Sequence, residues 1–413
     1  MKLRFNRATA FRLTGAASLL AVLVVSSPQR GTSQTSYFKW HEDENFYYIE
    51  SNGLPTHKMM VGITQWQQQV PIPQDYTGEN AWRVPKHPVW SDKPVNVRSA
   101  LFSGAIAVAL NGIPIFNPIK VDGKTDTFAA GELDEYGAHC GRADDYHYHM
   151  PPIFLEDMVG KGNPIAYALD GYLVYGYNEP DGKAPVGLDE YNGHKDAKGV
   201  YHYHSTKTFP YLNGGEHGVV KVIKDAIVPQ PWTAAARTWT KMLPGAVITG
   251  FTIPRPNYFS LDYTMNKAHH FINYTYNDDG SYTFNFVDPE GTKTEQYPAP
   301  HVRLSGYLNG NNGGNIKVAA GQPVIYSWGS TAATGASTTV QVYKSSDNEK
   351  PTNPVANDGC GIASGPYAPF IGKFGATKIA TKACQSGYTY KYTFTASGAD
   401  GKFVSDDLTV TVM

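Results

Sequence analysis

The tetrapeptide Tyr-His-Tyr-His occurs twice, as Tyr146-His147-Tyr148-His149 and as Tyr201-His202-Tyr203-His204. Each copy follows a related block, Leu133-Asp134-Glu135-Tyr136-Gly137-Ala138-His139 in the first case and Leu188-Asp189-Glu190-Tyr191-Asn192-Gly193-His194 in the second. The shift between partners is 55 residues from Leu133 and again from Tyr146. Further upstream, Ala109-Leu110-Asn111-Gly112-Ile113-Pro114-Ile115-Phe116 matches Ala168-Leu169-Asp170-Gly171-Tyr172-Leu173-Val174-Tyr175. The parts keep their order and only loop lengths differ. A repeated unit this small buries its apolar face by packing on its copy. The expected fold is mainly β, a duplicated β-hairpin domain about a pseudo-twofold axis.

Side chains alternate along a strand, so His147 and His149 share one face and Tyr146 and Tyr148 the other. The same holds for His202 and His204 against Tyr201 and Tyr203. Histidines two apart sit about 7 Å apart at Cα, close enough for both rings to lean toward one ion. His139 and His194 each precede the first histidine of their pair by 8 residues. A turn between them folds each one back as a third ligand, leaving a coordination position for water. The candidate metal ligands are therefore His139, His147, His149, His194, His202 and His204. Asp134, Glu135, Asp189 and Glu190 lie just upstream, placed either to orient an imidazole through its second nitrogen or to act as base toward a metal-bound water. The competing reading is a histidine–tyrosine hydrogen-bond lock with no metal. Imidazole suits Zn, Cu, Fe and Ni. Cys140, beside His139, is a possible further ligand that would favour Zn or Cu, but Lys195 stands at its counterpart.

These two copies resemble the YHYH domain, a bacterial secreted family named for the tetrapeptide, over roughly residues 95–220. The resemblance implies export and brings no assigned activity with it. Relatives carry cysteine in the second block and again after Phe-Pro-Tyr. Here Tyr191 and Gly214-Gly215-Glu216 stand in those places, so the disulfide that the resemblance implies is absent from this chain.

Export is also read from the N-terminus. Lys2, Arg4, Arg7 and Arg12 precede an apolar stretch at 13–25, and Gly31-Thr32-Ser33 offers a cleavage site, so residues 1–33 read as a signal peptide. Removing five of the 35 basic residues and none of the 36 acidic ones leaves a net charge of −6. There is no basic field for nucleic acid, and no later segment is apolar enough to span a membrane as a helix. The expected location is secreted, periplasmic or extracellular. In such a compartment Cys360 and Cys384 suit a local disulfide.

Residues 34–298 read as one domain with flanking strands, including runs at Phe46-Tyr47-Tyr48-Ile49 and Val61-Gly62-Ile63-Thr64. Trp232, Ala235, Ala236, Trp239 and Leu243 share one face at helical spacing, predicting a short helix over 232–243. Asn277-Asp278-Asp279-Gly280 marks a hairpin turn. Residues 299–413, rich in Ser, Thr, Gly and Val, read as an Ig-like or PKD-like β-sandwich ending in a long hairpin.

His41 reads as part of a solvated face, His217 as a turn residue, and His269-His270 as neighbours pointing opposite ways. Two functions remain open: a secreted Zn or Cu protein with duplicated histidine sites and no assigned reaction, and a module gripping carbohydrate or another surface polymer through exposed aromatics.

Overall fold

The computed structural model describes residues 38–413 except 234, 238–239, 279, 299–302, 309–310, 313–314, 321–322, 332, 345–364, 368–374, 383–386 and 399–402. The signal segment 1–33, Cys360 and Cys384 lie outside the described residues. The chain opens with β1 (Phe38–Glu42), β2 (Phe46–Ser51), β3 (Trp82–Pro85) and β4 (Trp90–Asn96). The first repeat supplies β5 (Ala105–Ala109), β6 (Pro114–Phe116), β7 (Ala138–Cys140) and β8 (Tyr146–Tyr148). The second supplies β9 (Pro164–Ala168), β10 (Leu173–Tyr175), β11 (Gly193–Lys195) and β12 (Tyr201–His204). These eight form one sheet in the order β11-β12-β10-β9-β5-β6-β8-β7.

Read outward from the β5/β9 seam, the two halves run in the same sequence of parts. In each, an antiparallel pair is followed by a parallel step (β6 to β8, β10 to β12) and then by an antiparallel hairpin. At the seam Ala107 faces Ala168 and Val108 faces Tyr167.

Side chains alternate across this sheet into two cores. Ala107 and Ala109, with Tyr146, Tyr148, Tyr201 and Tyr203, face one core. It is closed by Trp66, by Ile72 and by the inner face of a five-stranded meander. That meander is β16 (Val247–Arg255), β17 (Tyr258–Met265), β18 (Ala268–Tyr276), β19 (Tyr282–Asp288) and β20 (Gly291–Tyr297), reached through β13 (Gly215–Gly218), β14 (Lys221–Ile223) and β15 (Ala226–Val228). The expected turn at 277–280 joins β18 to β19. Ile106 and Val108 face the other core, with Ile49, Trp82 and Val84 of the β1–β3 sheet.

Two local expectations fail. Among the described residues, 232–243 holds no helix. Its N–H groups serve distant segments instead: Trp232 N donates to Asn80 Oδ1 (2.8 Å) and Leu243 N to the Trp66 carbonyl (2.9 Å). The Arg237 guanidinium donates to the Gln68 carbonyl and lies over the Phe284 ring. Trp232, Arg237 and Leu243 are thus separate anchors to distant segments. Likewise 61–64 is a turn rather than a strand, pinned by bonds between Gly62 N and Ile248 O and between Ile248 N and Ile63 O.

Beyond the meander lie β21 (Arg303–Leu308), β22 (Asn311–Asn312), β23 (Asn315–Val318), β24 (Pro323–Thr331), β25 (Ala333–Lys344), β26 (Gly365–Tyr367), β27 (Gly375–Lys382), β28 (Tyr388–Gly398) and β29 (Phe403–Val412). They form two sheets, β22-β21-β24-β27 and β23-β29-β28-β25-β26. The terminal hairpin pairs β28 with β29.

Candidate metal centres

Strand register builds both centres. In the β7/β8 hairpin His139 lies opposite His147, and in β11/β12 His194 lies opposite His202. The eight-residue spacing sets this register, and the two-residue spacing brings His149 and His204 onto the same faces. In the first centre His147 Nε2 and His139 Nε2 each lie 3.1 Å from His149 Nε2. In the second, His194 Nε2 and His204 Nε2 each lie 3.1 Å from His202 Nε2. Phe116 stacks on His147 at 4.0 Å, and Tyr175 meets His202 edge-on at 5.0 Å, so each cluster has an aromatic wall.

The opposite ring nitrogens all find backbone carbonyls. His147 Nδ1 bonds Asp145 O, His149 Nδ1 bonds Asn117 O, and His139 bonds the Glu132 backbone. His194, His202 and His204 use Val186, Val200 and Gly176 in the same way. A carbonyl accepts only, so each Nδ1 carries a proton, and in the neutral form of a ring the Nε2 lone pair turns inward. Lone pairs 3.1 Å apart repel unless a cation sits between them. Two nitrogens at the usual ~2.05 Å from one ion and this far apart subtend roughly 100° there, within the range that metal centres adopt. A lock of mutual histidine hydrogen bonds would need N–H groups at Nε2 in addition to the protons that the carbonyls hold at Nδ1.

Burial works in the same direction. His139 and His149 are held well below the ordinary imidazole range, first by desolvation and then by neighbouring rings, with Lys120 adding to both. His204 is lowered chiefly by burial. Neutral rings are the ligating form.

The second centre has a fourth donor that the histidine pattern did not reveal. Glu179 Oε1 is 2.8 Å from His194 Nε2 and 3.5 Å from His204 Nε2, and Oε2 is 3.7 Å from His202 Nε2. Glu179 with His194, His202 and His204, and separately His139 with His147 and His149, form two groups whose ligand atoms converge closely enough to hold an ion.

A sequence comparison bears on the first of these. Residues 81–185 match the family model described as YHYH protein. The match takes in the first tetrapeptide and ends before the second. No curated protein and no solved structure matches the chain.

Within and beyond this YHYH stretch, several expected roles are reassigned. Asp134 does not reach a histidine. It staples its own loop, accepting from Met60, Tyr136 and Ala138 N–H groups and from the Tyr146 hydroxyl at 2.6 Å. Burial raises it to about 6. Asp189 repeats the pattern with Tyr191 N, Gly193 N and the Tyr201 hydroxyl. Glu135 is exposed, and Glu190 accepts from Asn96 Nδ2 on the surface. The carboxylates thus brace the tyrosine face, while carbonyls aim the rings. Cys140 alternates away from His139 into the tyrosine core, where it pairs across the hairpin with Tyr146. Burial and the carboxylates around it push its thiol up, and the converging group at the first centre is His139, His147 and His149 without it.

On that tyrosine face two further histidines appear. His57 Nε2 bonds the Tyr148 hydroxyl at 2.7 Å and stacks on Tyr136. His217, expected in a turn, lies in β13, its ring tilted against Trp90 and its backbone N–H donated to the Tyr203 hydroxyl. His41 stacks on Tyr48 in an exposed strand, and His270 stacks on Tyr263 while His269 is exposed. Nothing in the repeat pointed to His57, because it comes from a distant segment.

Gly141 guards the first centre: a Cβ there would lie 2.7 Å from His147 Cε1. Gly141→Ala is expected to displace that ring and to lower bound metal by close to one ion per chain, measured by elemental analysis, with the second centre intact.

Proposed function

We propose that this chain is an exported metal-binding protein carrying two separate histidine centres for Zn or Cu, with the reaction unassigned. The observation that carries this reading is the convergence of three Nε2 lone pairs at 3.1 Å in each centre, every Nδ1 being engaged by a carbonyl. Export rests on the N-terminal sequence 1–33, whose signal-peptide character supports a secreted or periplasmic location for the mature chain. The matching strand order of the two halves supports descent of both centres from one ancestral β unit. Residues 299–413 would then act as an Ig-like supporting module, a role favoured by their two antiparallel-rich sheets.

The test is metal analysis of the purified mature protein after loading with Zn or Cu and removal of excess. Two ions per chain are expected, one for His147→Ala, one for His202→Ala and none for the double variant. A value near zero in the unsubstituted protein would remove the metal reading and leave an exported β scaffold.

A further inference from the structure

The two centres share their histidine register and an aromatic wall, and differ in the charged groups around them. Phe116 and Tyr175 wall the first and second centre, and the next residues, Asn117 and Gly176, give the carbonyls that bond His149 and His204. These pairs are offset by 59 residues in the chain, and the same offset aligns Glu179 with Lys120. Where the second centre has a carboxylate against its three nitrogens, the first has an ammonium group.

The surroundings differ accordingly. A cavity of about 490 Å³ reaches His139, His147 and His149, and is lined also by Lys120, Glu132, Phe102 and Arg142. Lys120 Nζ is 2.7 Å from Glu132 Oε1, which uses one of its three N–H donors. At the first centre, among the described residues, the converging group is three histidines without a carboxylate: Lys120 and Glu132 pair with each other, and Asp145 Oδ2 stands behind the ring, 3.5 Å from His147 Nδ1. At the second centre Glu179 cancels one unit of an ion's charge. Metal centres closed by four protein ligands are typically structural, whereas three-ligand centres leave a position for an outside ligand.

We infer that the centres divide their roles: the His139/His147/His149 centre presents an open coordination position to a small anion in the cavity, with Lys120 beside it, while Glu179 fills that position at the other centre. This rests on the metal reading above and assigns the outside ligand to one side. The ligand class is an oxyanion, a carboxylate- or phosphate-bearing molecule, since both the metal charge and the remaining Lys120 donors favour it. The cavity admits more than a single water and has apolar wall at Phe102 and Phe116.

The experiment uses the full mature chain loaded with Co²⁺, whose visible bands report its ligands, titrated with azide as a small anionic probe. In the unsubstituted protein half of the bound cobalt is expected to respond. Glu179→Ala should make both ions responsive, and Lys120→Glu should make neither responsive, because it recreates the closed set at the first centre. Lys120→Met should keep the response but weaken azide roughly tenfold. Equal azide response of both ions in the unsubstituted protein, or none with cobalt bound, overturns the division of roles. Failure to bind cobalt at all overturns the metal reading itself, a distinct result. If Glu179→Ala loses its cobalt, Glu179→Gln, which keeps the side-chain shape, serves for the same comparison.

Discussion

Stripping metal from the loaded protein with a chelator at neutral pH is expected to lower its melting temperature by more than about 10 °C. Each emptied centre would leave three inward lone pairs in a buried place with no donor to meet them. An unsatisfied buried polar group costs about 1–3 kcal/mol, and a domain of about 250 residues shifts by about 2 °C per kcal/mol. Calorimetry before and after chelation, and again after re-adding metal, measures the loss and its recovery. A melting point unmoved by chelation, in a protein shown to have lost metal, would mean that the rings relax onto other partners.

Acid should act in the same direction. His139, His149 and His204 have folded values below the ordinary 6.5, so the unfolded chain binds more protons than the folded one as pH falls through that value. Their contribution to stability is present above about pH 6.5 and is lost as pH falls toward the folded values. His57, held at about 4 by burial, adds its own share, about 2 kcal/mol between pH 6.5 and 5. His57→Gln should remove that share of the acid loss, read from denaturant melts at the two pH values.

The second large effect concerns a carboxyl pair behind the second centre. Asp170 and Glu216 are both essentially inaccessible to solvent. Asp170 Oδ2 accepts from the Tyr203 hydroxyl (2.6 Å) and Gly218 N (2.8 Å), and its own N–H donates to Glu216 Oε2. Burial, then the neighbouring Asp170 charge, holds Glu216 well above the usual carboxyl range, so it keeps its proton and donates to Asp170. Glu216→Gln preserves shape and donor and should change stability by less than about 1 kcal/mol at pH 5. Glu216→Ala strands a buried acceptor and opens a cavity, and should cost about 3–5 kcal/mol.

The pH dependence separates the protonation states. Above roughly pH 4.3 the unfolded Glu216 ionises while the folded one does not, so its contribution is present below that pH and lost as pH rises toward the folded value. Glu216→Gln should abolish that slope and gain on the parent protein between pH 5 and 8. A glutamine variant as damaged as the alanine variant would show that Glu216 works as an anion.

Much of this site was legible because local spacing fixes strand geometry. The eight-residue interval set the His139–His147 and His194–His202 pairing, and alternation put the tyrosines behind. Glu179 escaped notice because it lies in a loop whose offset between copies is 59 rather than 55. The acidic pairs misled because proximity in sequence is not direction in space: Asp134 and Asp189 turn toward tyrosine hydroxyls and loop N–H groups. In 232–243 the helical period misled because tertiary partners anchor the segment at separate points, the Trp66 carbonyl taking the Leu243 N–H that a helix would have used.

The seam between β5 and β9 has a consequence for chemistry. With the halves joined at their inner strands, β8 and β12 fall near opposite margins of the eight-stranded sheet, five strands apart. At about 4.8 Å per strand that is on the order of 20 Å. Two ions held at these clusters would be too far apart within one chain to grip a single substrate atom, so each would act as a mononuclear unit.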